Sequence, residues 1–431
     1  MKQWIYVASA ALAAGALLGP ARGAEAAGAA LSAAFAPQTA PADLPPNDSA
    51  KSLIDGDPRV VQARRALEAA RHRAAMLAAG PHEWTATAST QRRRYRTGAP
   101  EVNEWSIGLE RAVRIGGKAA LDRQLGENAL RLAEAQLGEA RHEAARELVD
   151  LWLNWLAADR TRQLWSEQLG FAQTSFKAAD TRRRAGDASL LEHNAARADL
   201  AEVQRQLSSV SNEEAKARAK LRTRFAQLPA SAQPAALAEP TALTPDDALW
   251  RQRILAESND LRVAREELQR AELTAARAGA DRLADPTVGV HATSEAGGAE
   301  RIVGLTLSIP LGGTYRNAQS REALAQVDVA RAAVERALRE LESEIAESLT
   351  EARGSLERWK FAEQARGATQ DNAQLTQRAY TLGEADLQGV LLARRQLLDA
   401  ALGAMQARVD ALRARYRLLI DAHLIWGLQD D

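Results

Sequence analysis

The segment Trp105 to Lys118 constrains this chain more than any other, because it returns. Ile107-Gly108-Leu109 and Ile115-Gly116-Gly117 recur as Val303-Gly304-Leu305 and Leu311-Gly312-Gly313 at one offset, 303 − 107 = 312 − 116 = 196 residues. In both copies an apolar/polar alternation runs into a glycine pair and then into a very long helical pattern. Alternation with period two gives a strand with one apolar face, and recurrence at three and four gives a helix, so each copy marks a strand-to-helix handover. A chain that makes this handover twice is built from two repeats.

In the first repeat, a helix is expected over about 58–79, entered at Asp57-Pro58 and stopped at Gly80-Pro81. Strands are expected over about 83–91 and 104–115. In the first, Trp84, Ala86 and Ala88 alternate with Thr85, Thr87 and Ser89; in the second, Trp105, Ile107, Leu109, Val113 and Ile115 oppose Ser106, Gly108 and Glu110, with Arg111 breaking the apolar row. Between them Arg92, Arg93, Arg94 and Arg96, with Gly98 and Pro100, read as a solvated loop, or alternatively as a contact for lipopolysaccharide phosphates. From Lys118 no proline interrupts a helical pattern of roughly 66 residues, about 100 Å at 1.5 Å per residue. The run Arg184-Ala185-Gly186-Asp187-Ala188-Ser189-Leu190-Leu191 reverses it, and the returning helix, to about residue 226, carries Leu200, Val203, Leu207 and Val210 at seam spacing.

The second repeat follows the same order. A short helix is expected to start at Thr244-Pro245-Asp246-Asp247, then a helix at about 259–280 and strands at about 287–293 and 302–311. A long helix at about 315–381 turns at Leu382-Gly383-Glu384-Ala385-Asp386-Leu387. The last helix has Leu391, Leu398, Leu402, Met405, Val409, Leu412, Tyr416 and Leu419 in heptads, which give a left-handed supercoil. The chain therefore divides into a leader over 1–26, a Pro/Ala-rich segment over 27–48 expected to run as an extended tail, a first repeat over 49–228 with its hairpin at about 118–226, a linker over 229–245, and a second repeat over 246–431 with its hairpin at about 315–426.

Composition limits the function classes. Aromatics are 4% of 431 residues, too little bulk for large globular cores, and Lys plus Arg equals Asp plus Glu at 56 each, so no net field draws nucleic acid. Residues 1–26, with Lys2, the apolar run Val7 to Leu18 and small residues from Ala21, read as a secretory signal peptide. There is no cysteine, hence no disulfide, thiolate site or lipid anchor on Cys. The strands have the length and alternation of tilted outer-membrane strands, which would put Trp105, Ile107, Leu109, Val303, Leu305 and Ile309 against lipid. Four strands per chain cannot close a barrel, whose single-chain minimum is about eight, so several chains would have to share one. A small soluble sheet on the helix ends is the other reading of the same pattern.

Two repeats of helix, strand pair, long helix, glycine turn and returning helix, behind a signal peptide, resemble the TolC-like outer-membrane efflux protein family. The resemblance runs from about residue 49 to 427. It implies a mainly helical fold with membrane β: three chains sharing a twelve-stranded outer-membrane barrel on a periplasmic α-helical barrel, docked on a periplasmic adaptor and an inner-membrane RND pump. It also implies an exit duct, not an enzyme, with no cofactor. Arg184, Gly186, Asp187, Ala188, Ser189, Leu190 and Leu191, with Gly383, Glu384, Ala385, Asp386 and Leu387, resemble the two periplasmic-tip turns and would form the adaptor-docking end. Glu110 to Lys118, with Gly116-Gly117 at the strand-helix junction as Gly312-Gly313 are in the second repeat, is similar to the Gly-Gly-Lys segment of cobalt, zinc and cadmium efflux channels, which implies heavy-metal cargo. Drug efflux or a type I secretion duct stays open.

The residues offer no catalytic constellation. His72, His82, His142, His193, His291 and His423 are scattered, without His-Glu-x-x-His or another recognised ligand spacing, so no metal site is expected. Gly116-Gly117-Lys118 lacks the other residues of a phosphate loop. The rival from another class is a periplasmic structural or adaptor coiled coil, although an adaptor has one hairpin and here hairpin and strand pair both occur twice. Trp152, Trp155 and Trp165 at helical spacing are expected to pack rather than bind.

Overall fold

A computed structural model describes residues 35, 40–96, 98, 100–229 and 233–428. The leader expected over 1–26 and much of the segment over 27–48 lie outside the described residues. The elements are α1 (Asn47–Asp55), α2 (Pro58–Ala79), β1 (Thr85–Arg93), β2 (Val102–Ala112), α3 (Lys118–Arg184), α4 (Leu190–Arg224), α5 (Asp247–Glu257), α6 (Asn259–Ala280), β3 (Thr287–Glu295), β4 (Glu300–Ser308), α7 (Thr314–Leu382) and α8 (Leu387–Asp421). The architecture is mainly helical, with two repeats of strand pair and long helical hairpin.

Helices α3 and α7, of 67 and 69 residues, set the length, about 100 Å each at 1.5 Å per residue. Each is flanked by two shorter helices, α2 and α4 along α3 and α6 and α8 along α7; 22 + 35 = 57 residues in both repeats. Small residues permit the contact. A Cβ on Gly126 of α3 would lie 2.9 Å from the Cα of Ala74 in α2, so these backbones touch with nothing between them. Side-chain caps start the shorter helices: Asp57, Ser189, Asp246, Ser258 and Asp386 accept from the backbone N–H two or three residues on.

The sheet has order β1-β2-β3-β4, antiparallel throughout, so the strand pairs of both repeats join through β2 and β3. The strand bounds differ from those expected. β1 extends to Arg93 and β2 begins at Val102, because Arg92 pairs with Asn103 and Arg93 with Val102; the arginine-rich loop is correspondingly shorter. β2 ends at Ala112 and β4 at Ser308, the residues that face Thr287 at the start of β3. Val113, Ile115 and Ile309 therefore fall beyond the ladder; Val113 N still donates to the Pro286 carbonyl at 2.9 Å and Ile115 N to Asp285 Oδ1 at 3.1 Å, but Asp285 and Pro286 precede β3.

The hydrophobic core is a belt at mid-height. Trp152, Trp155, Tyr416, Trp426, Trp250 and Phe225 are buried there with the leucines of α3 and α8. Trp152 and Trp155 stack edge-to-face at 5.4 Å, as packing residues should. The segment expected to run as a free tail is partly docked into this belt, since Phe35, Asp43 and Leu44 are buried. Asp43 holds it: its Oδ1 accepts from Tyr416 Oη at 2.6 Å, its Oδ2 from Ala238 N at 3.0 Å and its carbonyl from Trp152 Nε1 at 2.7 Å. A few anchors with satisfied polar groups suffice for docking, and segment composition does not register them.

Candidate functional site

The sheet separates its residues by face. Directly paired residues share a face, so the register places Ala86, Leu109, Val290 and Leu305 in one row and Ala88, Ile107, Ala292 and Val303 in the next. Trp105, Ile107, Leu109, Val288, Val290, Val303, Leu305 and Leu307 are all exposed, Leu305 by 85%. So continuous an exposed apolar face marks an interaction surface, for a membrane or for another protein. The opposite face carries Thr85, Thr87, Ser89, Ser106, Glu110, His291, Thr293 and Thr306 and is the crowded one. A Cβ on Gly304 would sit 2.5 Å from the His291 ring and one on Gly108 2.7 Å from Thr87 Oγ1. Arg111 interrupts the apolar face only next to the helices, where its Nε donates to the His82 carbonyl at 2.9 Å and its guanidinium lies 5.7 Å from the Trp84 ring centre.

Below the sheet, Lys118 is the hub of the strand-helix junction. It is 1% exposed; its Nζ donates to the Leu283 carbonyl at 2.6 Å and to Asp285 at 2.7 Å, with Asp281 at 3.3 Å. It thereby ties the β2-α3 junction of the first repeat to the α6-β3 junction of the second. Burial works to raise the Asp285 carboxyl, but hydrogen bonds from Lys118, His82 and Ile115 N outweigh it and hold the group below its ordinary value. Arg114 donates to the carbonyls of Leu77, Ala78 and Ala79 at the end of α2 and to Asp122, which also binds Arg277 at 2.6 Å. The glycine pairs at the two junctions are not equivalent: Gly116 and Gly117 have φ of 67° and 78°, whereas Gly313 is extended. The offset of 196 places Thr314 where the first repeat has Lys118, so the hub is not duplicated and the repeat gave no sign of it.

At the far end both turns expected from the sequence form. Gly186 (φ 85°) and Gly383 (φ 80°) take the left-handed conformation that lets a helix stop and reverse. Ser189 and Asp386 cap α4 and α8, Arg184 pairs with Asp180 at 2.7 Å, and Glu384 is exposed. Leu190 and Leu191 are exposed, Leu191 by 68%. Leu387 differs from the expectation that it offers an apolar contact outward: it is 4% exposed, packed with Ala179 and Ala196, because the first residue of α8 points between the two hairpins. The residues joining the hairpins here were not singled out from the sequence. Arg182 Nη1 donates to Tyr380 Oη at 2.7 Å and to Glu192 at 2.9 Å, and Tyr380 Oη donates to Glu192 at 2.8 Å. They come from three helices up to 198 residues apart, and only the fold brings them together.

The histidines also regroup. Glu139, His142 and Glu143 on α3 offer ligand atoms within 4.8 Å of one another, since i, i+3 and i+4 share one helix face. His142 Nε2 lies 3.1 Å from Asp421 Oδ1, and Asp421 in turn accepts from Arg146 at 2.8 Å. Burial works to lower His142, but Asp421 and Glu139 more than offset it and push it up to about 9. His423 is pushed down to about 4 by burial and by the neighbouring His142 and Arg253 charges.

A family model described as outer membrane efflux protein matches residues 51–226 and 250–419. No curated protein matches the sequence. Among solved structures, the chain is similar to the outer membrane protein VceC of Vibrio cholerae (TM-score 0.73, 18% identity, covering 88% of this chain and 95% of that one). It is also similar to a membrane protein from Pseudomonas aeruginosa (0.72, 18%, 91% and 95%) and to the CmeC outer membrane channel of Campylobacter jejuni (0.67, 16%, 89% and 87%). At these identities the likeness is one of fold.

Proposed function

The chain belongs to the outer membrane efflux protein family and is an outer membrane efflux channel with a periplasmic tunnel, and from that premise we propose that three copies share one barrel and form the exit duct of a tripartite system. The observation that carries the reading is the open four-stranded sheet with one exposed apolar face. An open edge in lipid leaves backbone groups unpaired, so β1 of one chain pairs with β4 of the next, and 3 × 4 strands close a ring. The strands, of 9 to 11 residues, match the span of a tilted membrane strand. The apolar face, with Trp105, Ile107, Leu109, Val303 and Leu305, meets lipid, and the polar face lines the pore; Ile309, beyond the ladder, sits at the membrane boundary.

The duct performs no chemistry. It supplies a hydrated path whose polar wall neither binds cargo tightly nor excludes it, so the inner-membrane pump sets direction and choice. The tip turns, with Gly186, Ala188, Ser189, Leu190, Leu191, Gly383 and Ala385, receive the hairpin of a periplasmic adaptor: small residues leave grooves, and exposed Leu190 and Leu191 provide apolar contact. Heavy-metal cations are the cargo this reading favours, on the likeness of Glu110 to Lys118 to the Gly-Gly-Lys segment of metal-efflux channels.

Sedimentation in detergent tests the assembly: a stable trimer is expected, and a stable monomer refutes the shared barrel. Deleting the gene tests the cargo. Lower inhibitory concentrations of zinc, cobalt or cadmium salts support metal export, and sensitivity to organic compounds alone refutes it.

A further inference from the structure

We propose that a cavity at the belt binds a divalent transition-metal cation of the zinc class through Glu139, His142 and Glu143, with His423 completing the site. The cavity, of about 260 Å³, is walled by α3, the start of α6, α7 and the chain beyond α8. Glu139-Ala140-Arg141-His142 is a Glu-x-x-His pair on one helix face, the arrangement by which helix-bundle carboxylate proteins present a metal ligand pair, and Glu143 stands one position further round. His142 Nδ1 faces Glu139 Oε1 at 3.8 Å while Nε2 is turned to Asp421. That is how a metal-bound imidazole is held, one nitrogen toward the ion and the other fixed by a carboxylate. Asp421 is itself secured by Arg146, so the orienting shell is in place.

His423 supplies the independent observation. Its side chain is 5% exposed, its ring is 5.8 Å from that of His142, and its Nδ1 has no hydrogen-bond partner; a carboxylate oxygen of Glu257 is 3.6 Å away. A buried polar atom without a partner is costly, and the residue that carries it lines the cavity that holds the other three donors. Charge favours a cation there. Glu139, Glu143, Asp260, Glu340, Glu344 and Asp421 line the cavity with one guanidinium, Arg146, which is engaged by Asp421 at 2.8 Å and Glu344 at 3.1 Å. Mixed imidazole and carboxylate donors suit zinc and its first-row neighbours rather than magnesium or calcium, which take oxygen alone. Bonds of about 2 Å require the donors to close to roughly 3.4 Å, by rotation of the half-exposed Glu143 and of the His423 ring, which lies outside the group of three donors within 4.8 Å of one another. An ion so held links the first repeat, through α3, to the second, through the segment after α8. Its failure leaves the duct reading, which rests on the sheet, unaffected.

The test is titration of the full-length, tag-free, chelator-treated protein in detergent with zinc chloride, followed by calorimetry and zinc-edge X-ray absorption. One ion per chain and two imidazoles in its shell are expected. Glu139→Gln and His142→Gln each weaken binding at least 10-fold, His423→Gln removes one imidazole from the shell, and His72→Gln on the exposed face of α2 changes nothing. Glu139→Gln keeps the test decisive if His142→Gln does not fold. Absence of saturable binding by the wild type, affinity unchanged in both E139Q and H142Q, or magnesium bound as tightly as zinc overturns the proposal.

Discussion

Leu305→Arg is the sharpest perturbation of the membrane reading. Leu305 sits past the middle of β4, is 85% exposed on the apolar face and pairs directly with Val290. An arginine on the lipid face at the bilayer midplane costs about 2 to 4 kcal/mol, so three copies in one barrel lose about 6 to 12 kcal/mol. That is comparable with the whole stability of a typical folded domain, about 5 to 15 kcal/mol, so the variant should fail to assemble rather than assemble weakly. Two controls separate depth and face from charge. Thr306→Arg points to the polar face and should insert normally. Ile309→Arg, beyond the last paired residue, should cost about 0 to 1 kcal/mol, as near an interface. The assay is the yield of heat-resistant oligomer in outer-membrane fractions, with urea titration of refolding into bilayers for the magnitude. If Leu305→Arg inserts like wild type, or Thr306→Arg is the disruptive change, the assignment of faces is wrong.

Three further outcomes are expected. Lys118→Met leaves Asp285 buried beside a neutral group and should destabilise the junction by about 3 to 5 kcal/mol, with Lys118→Met/Asp285→Leu recovering much of it; equal melting of single variant and wild type in detergent would remove Lys118 as the hub. Because the folded-state His142 is raised from 6.5 to about 9, its contribution is fully present below pH 6.5 and is lost as pH rises through about 9; the shift corresponds to on the order of 3 kcal/mol. Melting with chelator present should therefore show stability falling across that window in the wild type and a flat profile there in His142→Gln. Ala188→Trp or Ala385→Trp fills the tip grooves and should abolish adaptor cross-linking and export while leaving insertion intact; normal cross-linking in both variants would place docking elsewhere.

Local pattern by itself determined the elements. The offset of 196 gave the two repeats, absence of proline gave helices near 67 residues, period two gave the strands, and Gly186 and Gly383 gave the turns, because each depends on a few neighbouring residues and on backbone sterics that act locally. Even the apolar face was legible, since alternation survives whatever the strand pairs with. What only the tertiary structure decided are contacts between residues far apart in the chain. The ends of β2 and β4 follow from where β3 starts, Asp43 docks a segment whose composition reads as tail, and Leu387 turns inward. Lys118 meets Asp285, Tyr380 meets Arg182 and Glu192, and His142 meets Asp421 and His423 only after the two repeats lie side by side. Those pairings are set by register and by how the helices stack, and charge or spacing along one segment carries no record of the partner it will face.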